Sequence, residues 1–148
     1  MNLETIYSLL NISVLPAWAL LIFVPNWQGT EKFVHAVFIP LILACFYIYY
    51  LIWAMFFGGG AEGAGMSSLS QVMHMFDSPV STLAGWAHYL VFDLFVGAWI
   101  VRDGIRRGIS ALWRAPCLAF TLMFGPVGLA MYLLLRTLKG EGMSLQEA

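Results

Sequence analysis

Apolar residues fill four long stretches of this chain, and the charges fall in the gaps between them. No Asp, Glu, Lys or Arg occurs between Glu4 and Glu31, or between Lys32 and Glu62. From Ser78 to Val101 the one charge is Asp93, and from Ala115 to Leu135 there is none. A bilayer core about 30 Å thick is crossed by about 20 apolar helical residues. The pattern therefore predicts spans near 5–24, 33–57, 79–101 and 115–135. Barrel strands run about 10 residues and alternate in polarity, so stretches of this length exclude them. The expected fold is all-α, an integral membrane four-helix bundle forming one domain over residues 1–148.

The segment between the second and third spans is the one long connection. Gly58-Gly59-Gly60-Ala61-Glu62-Gly63-Ala64-Gly65 is a flexible run, because glycine loses the most freedom on ordering. Ser68-x-x-Gln71 then reads as a capping box opening a short helix near 67–76. Leu69, Val72, Met73 and Phe76 follow at i, i+3, i+4 and i+7, one apolar face. This helix is expected either to lie on the membrane surface as a lid or to pack on the bundle end.

Composition narrows the class further. The chain is 61% apolar and 10% charged, where soluble domains carry about a quarter charged residues. Seven Lys/Arg against eight Asp/Glu leave a net charge of -1, so no basic surface for nucleic acid is expected. Cys45 and Cys117 both fall in apolar stretches and read as small core residues rather than a bridge. Met1–Leu10 carries only Glu4 and no basic n-region, so the first segment is expected to be a retained helix. Nothing before it reads as a transit peptide, so the chain is expected to be bacterial or already processed, with the bacterial inner membrane as its expected location. With four spans, Lys32, Arg102, Arg106, Arg107 and Arg114 share one side and Arg136 and Lys139 the other. The positive-inside rule then places both termini outside, in the periplasm.

Three prolines, Pro16, Pro40 and Pro126, fall inside predicted spans, and each removes one helical donor. The carbonyls of Ile12, Ala36 and Leu122 must then find other partners. Gly125-Pro126-Val127-Gly128 is the sharpest case, and is expected to kink the fourth helix, opening a cavity or allowing close packing.

Asp93 carries the strongest polar signal. It lies midway along the third span, where a carboxylate costs several kcal/mol unless paired or protonated. Tyr89 shares its face at i, i+4, and Trp86 returns to that face at i−7. His88 lies about 140° around the helix, which disfavours a metal site shared with Asp93. Asp93, His88 and Tyr89 are thus the candidate catalytic set. Trp86, Trp99, His35, Thr121, Pro126, Arg102 and Asp103 are the candidate ligand-binding residues. The structural alternatives are that Asp93 bonds Thr121 or a freed carbonyl, and that Arg102, Asp103, Arg106 and Arg107 mark the membrane edge. In that case Asp103 and Arg107 pair at i, i+4. His74 and Asp77 read as solvated. No metal-ligand spacing, phosphate loop or haem-attachment motif occurs, so no cofactor is expected.

The segment Gly85-Trp86-x-His88-Tyr89-Leu90-x-Phe92-Asp93-Leu94-Phe95-Val96-Gly97-x-Trp99-Ile100-x-x-Asp103-Gly104 resembles the signature helix of a small membrane family. Its best-known members are the plant neoxanthin synthases of the abscisic-acid-deficient type. The resemblance extends through Pro116, Thr121-Leu122, Gly125-Pro126-x-Gly128, Tyr132 and Arg136, and covers roughly residues 30–138. The plant members carry an arginine where this chain has Ala98. The resemblance implies a carotenoid- or isoprenoid-modifying protein, an isomerase that opens an epoxide and creates an allene without a redox cofactor. Such a reaction needs an acid at the epoxide oxygen and a base at the polyene, roles that fall to Asp93 with His88 or Tyr89. The alternative is a non-catalytic pigment- or lipid-binding subunit of a biosynthetic or photosynthetic membrane complex. Expected partners are membrane lipid, a polyene or isoprenoid ligand, and a second copy of the chain or such a complex.

Overall fold

A computed structural model describes residues 2–36 and 38–140. Six helices account for most of them, and no strand occurs among the described residues. Helix α1 covers Leu3–Phe23, α2 Phe38–Phe56, α3 Leu69–Met75, α4 Pro79–Arg106, α5 Ala111–Phe124 and α6 Pro126–Leu138. A short turn at Gln28–Thr30 runs into a π-helical turn at Glu31–His35 ahead of α2. Three stretches are long and apolar enough to cross a membrane: Leu3–Phe23, Gln28–Phe56 and Pro79–Arg106. The chain is an all-α membrane protein, as the apolar pattern predicts.

Packing divides the residues into two units, one of Met1–Ser13 with Ile39–Val91, the other of Val14–Phe38 with Phe92–Ala148. In the first, the capping box forms: the Ser68 hydroxyl accepts from the Gln71 amide at 3.3 Å. The Gln71 side chain reaches back to the Ser67 amide at 3.1 Å, one residue earlier than the reciprocal pattern requires. No residue of α3 is buried; Leu69 is 77% exposed, while Phe76 on the same apolar face lines a cavity. The Ser78 hydroxyl donates to the Gly59 carbonyl and the Gly59 amide to Trp53, which clasps the glycine-rich loop to its flanking helices.

The second unit departs most from the sequence expectation. The predicted span 115–135 is not one kinked helix but two helices, α5 and α6, which pack against each other. The break falls at Gly125, whose φ of 49° lies where side chains are rarely tolerated. The chain reverses so tightly that a Cβ on Gly128 would collide with the Thr121 amide and the Cys117 carbonyl. In a straight helix Cys117 and Gly128 would stand about 16 Å apart. Pro126 is the first residue of α6, where its missing donor costs nothing. Pro40 sits in the first turn of α2 for the same reason, and of the three only Pro16 interrupts a helix interior. Pro126→Ala should therefore leave α5 and α6 as separate helices and change stability by less than about 1 kcal/mol, measured by thermal unfolding in detergent.

Candidate functional site

Two clusters carry chemistry, one in each unit. In the first unit, the C-terminal half of α2, the glycine-rich loop, α3 and the start of α4 enclose a cavity of about 630 Å³. That size is ordinary for a small-molecule site. The walls are apolar, with Leu51, Met55, Phe56, Met66, Met75 and Phe76 among them. Among the described residues, three side chains with polar hydrogen-bonding atoms line it: Tyr47, Ser81 and His88. The His88 ring lies 5.5 Å from that of Tyr47. Behind this face, Trp86 donates its indole N–H to Asn11 Oδ1 at 3.1 Å and stands between the rings of Tyr7 and Tyr89, 5.5 and 5.4 Å away. Trp86 and Tyr89 thus form an aromatic layer on α4 but do not line the cavity.

In the second unit a single carboxylate organises the end of α4. Asp103 is 3% exposed and accepts a hydrogen bond from the Tyr132 hydroxyl at 2.7 Å. Arg107 Nε approaches both of its oxygens at 3.1 Å, while Arg106 and Arg136 each approach one at 3.4 Å. Arg136, only 1% exposed, is carried on α6 one helical turn beyond Tyr132, so both side chains reach the same acid. From the other arm, Arg114 donates to the Val101 carbonyl at 2.9 Å. Cations near the last carbonyls of a helix are favoured by its dipole.

The structure places the remaining sequence candidates as follows. Asp93 is buried beside the α5–α6 elbow, where a Cβ on Gly125 would strike its carboxylate, and it does not line the cavity that His88 lines. Thr121 donates to the Cys117 carbonyl at 2.8 Å, an arrangement internal to α5 rather than the bond to Asp93 weighed above. Trp99 meets Tyr132 edge to face at 5.5 Å. Arg102 is exposed, and His35 is half-buried with no hydrogen-bond partner on its Nδ1 among the described residues. Pro126 caps the elbow rather than kinking a span. His74 pairs with Asp77 at 3.1 Å at the exposed C-terminal end of α3. The expected Asp103–Arg107 pair is present, within a larger cluster. Among the described residues no group of three or more His, Cys, Asp or Glu is placed to hold a metal.

Sequence reasoning missed Tyr132 and Arg136 as partners of Asp103, although their i, i+4 spacing on an otherwise apolar helix was a usable signal. It also missed Tyr47, which stands in an aromatic-rich stretch with nothing to single it out.

A family profile described as ABA4-like: ABA DEFICIENT 4-like matches residues 5–132. Among curated proteins, the chain is 26% identical over 137 residues to Protein ABA DEFICIENT 4, chloroplastic, of Arabidopsis thaliana. The match covers 87% of this chain and 59% of that protein, so the chain spans about three-fifths of its relative's length. No solved structure matches.

Proposed function

Since this chain belongs to the ABA DEFICIENT 4-like family, we propose that it acts on a carotenoid or related isoprenoid within the membrane, as an epoxide-opening isomerase. The observation that supports this reading best is the apolar cavity of the first unit, with His88 and Tyr47 in its wall. From Pro79 to His88 the helix rises about 13 Å, less than half of a core about 30 Å thick. An elongated ligand lying across the bilayer would therefore place one end in the cavity and leave the rest among lipid or other helices. The isomerisation needs one proton delivered to the epoxide oxygen as its C–O bond opens, and one removed from the polyene as the cumulated double bond forms. In this reading His88 takes the polyene proton and Tyr47 positions the ligand end; the acid role falls to Asp93 by the resemblance of its helix to the family's, not by a place in the cavity wall.

The experiment is expression in carotenoid-accumulating cells, with pigment extraction and absorbance of the purified protein. Wild type should retain pigment and alter its composition. Asp93→Asn keeps the shape but removes the transferable proton, and His88→Gln removes the base. Both should accumulate, hold pigment and lose conversion by about 100-fold or more. The second reading, a pigment- or lipid-binding subunit, is favoured by one observation: among the described residues the cavity lining includes no carboxylate. Under it, both variants keep full function. An Asp93→Asn protein that fails to accumulate would make that residue structural and remove it from the site.

A further inference from the structure

We propose that residues 111–138 form a re-entrant hairpin, which dips into the membrane and returns to the face it left, so that every Lys and Arg of the chain lies on one side of the membrane and the exposed ones among them face its headgroups. Three observations in the second unit converge on this geometry. At the entrance of α5, Arg114 reaches the Val101 carbonyl at 2.9 Å. At the exit of α6, Arg136 and Tyr132 reach Asp103 at 3.4 and 2.7 Å, only two residues along α4 from Val101. The ammonium of Lys139 then sits 5.4 Å above the Trp113 ring, joining the two ends of the hairpin directly. The elbow at Gly125, by contrast, lies against Asp93. Asp93 precedes Asp103 by about 15 Å of helix rise, half of a core about 30 Å thick.

The lengths agree. With 14 and 13 residues, α5 and α6 are each about 20 Å long, too short to cross that core alone. Irregular backbone at such depth is tolerated where protein covers it, and Gly125, Thr121 and Gly128 are all buried. Counting passages, three spans followed by a hairpin put Lys139 on the face of Ser110, opposite Glu4. Lys32, Arg102, Arg106, Arg107, Arg114, Arg136 and Lys139 then share one face, seven to none, where four spans gave five to two. That surface, with Trp27 and Trp113 exposed beside it, fits the anionic headgroups of one leaflet.

Single reporter cysteines at Glu4, Ser110 and Lys139, probed in sealed vesicles of known sidedness with a membrane-impermeant maleimide, test the re-entry. Cys45 and Cys117, both within apolar helices, provide the background measured in the unsubstituted chain. Ser110→Cys and Lys139→Cys should label from the same side, and Glu4→Cys from the other. Labelling of Lys139→Cys together with Glu4→Cys would overturn the hairpin and restore a fourth crossing. For the surface, the chain reconstituted in phosphatidylcholine should melt at a higher temperature once phosphatidylglycerol is added, and Arg102→Gln with Lys139→Gln should reduce the gain. Equal midpoints in the two lipids would overturn the headgroup contact.

Discussion

Gly128→Ala should cost this protein more than any other single methyl group we can place in it. The new Cβ would meet the Thr121 backbone amide and the Cys117 carbonyl, neither of which can swing aside as a side-chain end would. The α5–α6 hairpin must then open, and over-packing of this kind costs about 3 kcal/mol or more where backbone has to move. In the proposed re-entrant hairpin, loss of Gly128 packing also uncovers the elbow, whose backbone groups would be sheltered at that depth only by protein. Thermal unfolding in detergent should show a much lowered midpoint, and membrane yield should fall with it. Pro126→Ala, two residues away, serves as the control with little effect. Equal behaviour of the two variants would mean that the helices do not pack as described.

Asp103→Ala should come second. It removes the carboxylate that Arg136, 1% exposed, approaches at 3.4 Å, together with the acceptor of the Tyr132 hydroxyl. Removing one partner of a buried ion pair costs about 3–5 kcal/mol, because the remaining charge stays desolvated. Tyr132→Phe removes one hydrogen bond to the same carboxylate and should cost about 1.5–3 kcal/mol. Because both residues share that acid, the double variant should lose less than the sum of the single losses, which thermal midpoints on the four proteins will measure. Additive losses would separate Tyr132 from the cluster.

The helical content and the first three spans were legible because they depend on long charge-free stretches, and a missing charge is an unambiguous signal at bilayer depth. The short helix α3 was legible for a different reason: Ser68 and Gln71 fix a local start, and the apolar spacing after them fixes a face. The helix break inside the fourth predicted span was not legible because hydropathy counts apolar residues without regard to direction. Residues 115–135 stay apolar through the reversal, so the turn leaves no trace in polarity. Gly125-Pro126 did mark the place, but a kink and a reversal use the same two residues. What separates them is the close approach of Gly128 to Cys117, a tertiary contact with no local signature. The same gap hid the partners of Asp103. A turn that brings α6 back along α4 had to be known before Arg136 could be assigned to it. Asp93 was singled out by depth alone, and depth does not say which cavity a side chain borders.

The cavity of the first unit has one wall with a thermodynamic consequence of its own. Met55 and Phe56 line it and are also 65% and 73% exposed. If their helix crosses the membrane, as its length and apolarity allow, a wall of that kind opens toward hydrocarbon rather than toward the aqueous phase. For the ligand proposed above, occupancy of such a site would follow the mole fraction of ligand in the surrounding lipid. Adding empty lipid to a fixed amount of protein and ligand should drain the cavity, whereas diluting the same vesicles with buffer should leave it filled. Affinity for the proposed ligand is therefore to be expressed per lipid, as partition, and a molar aqueous constant would change with every preparation.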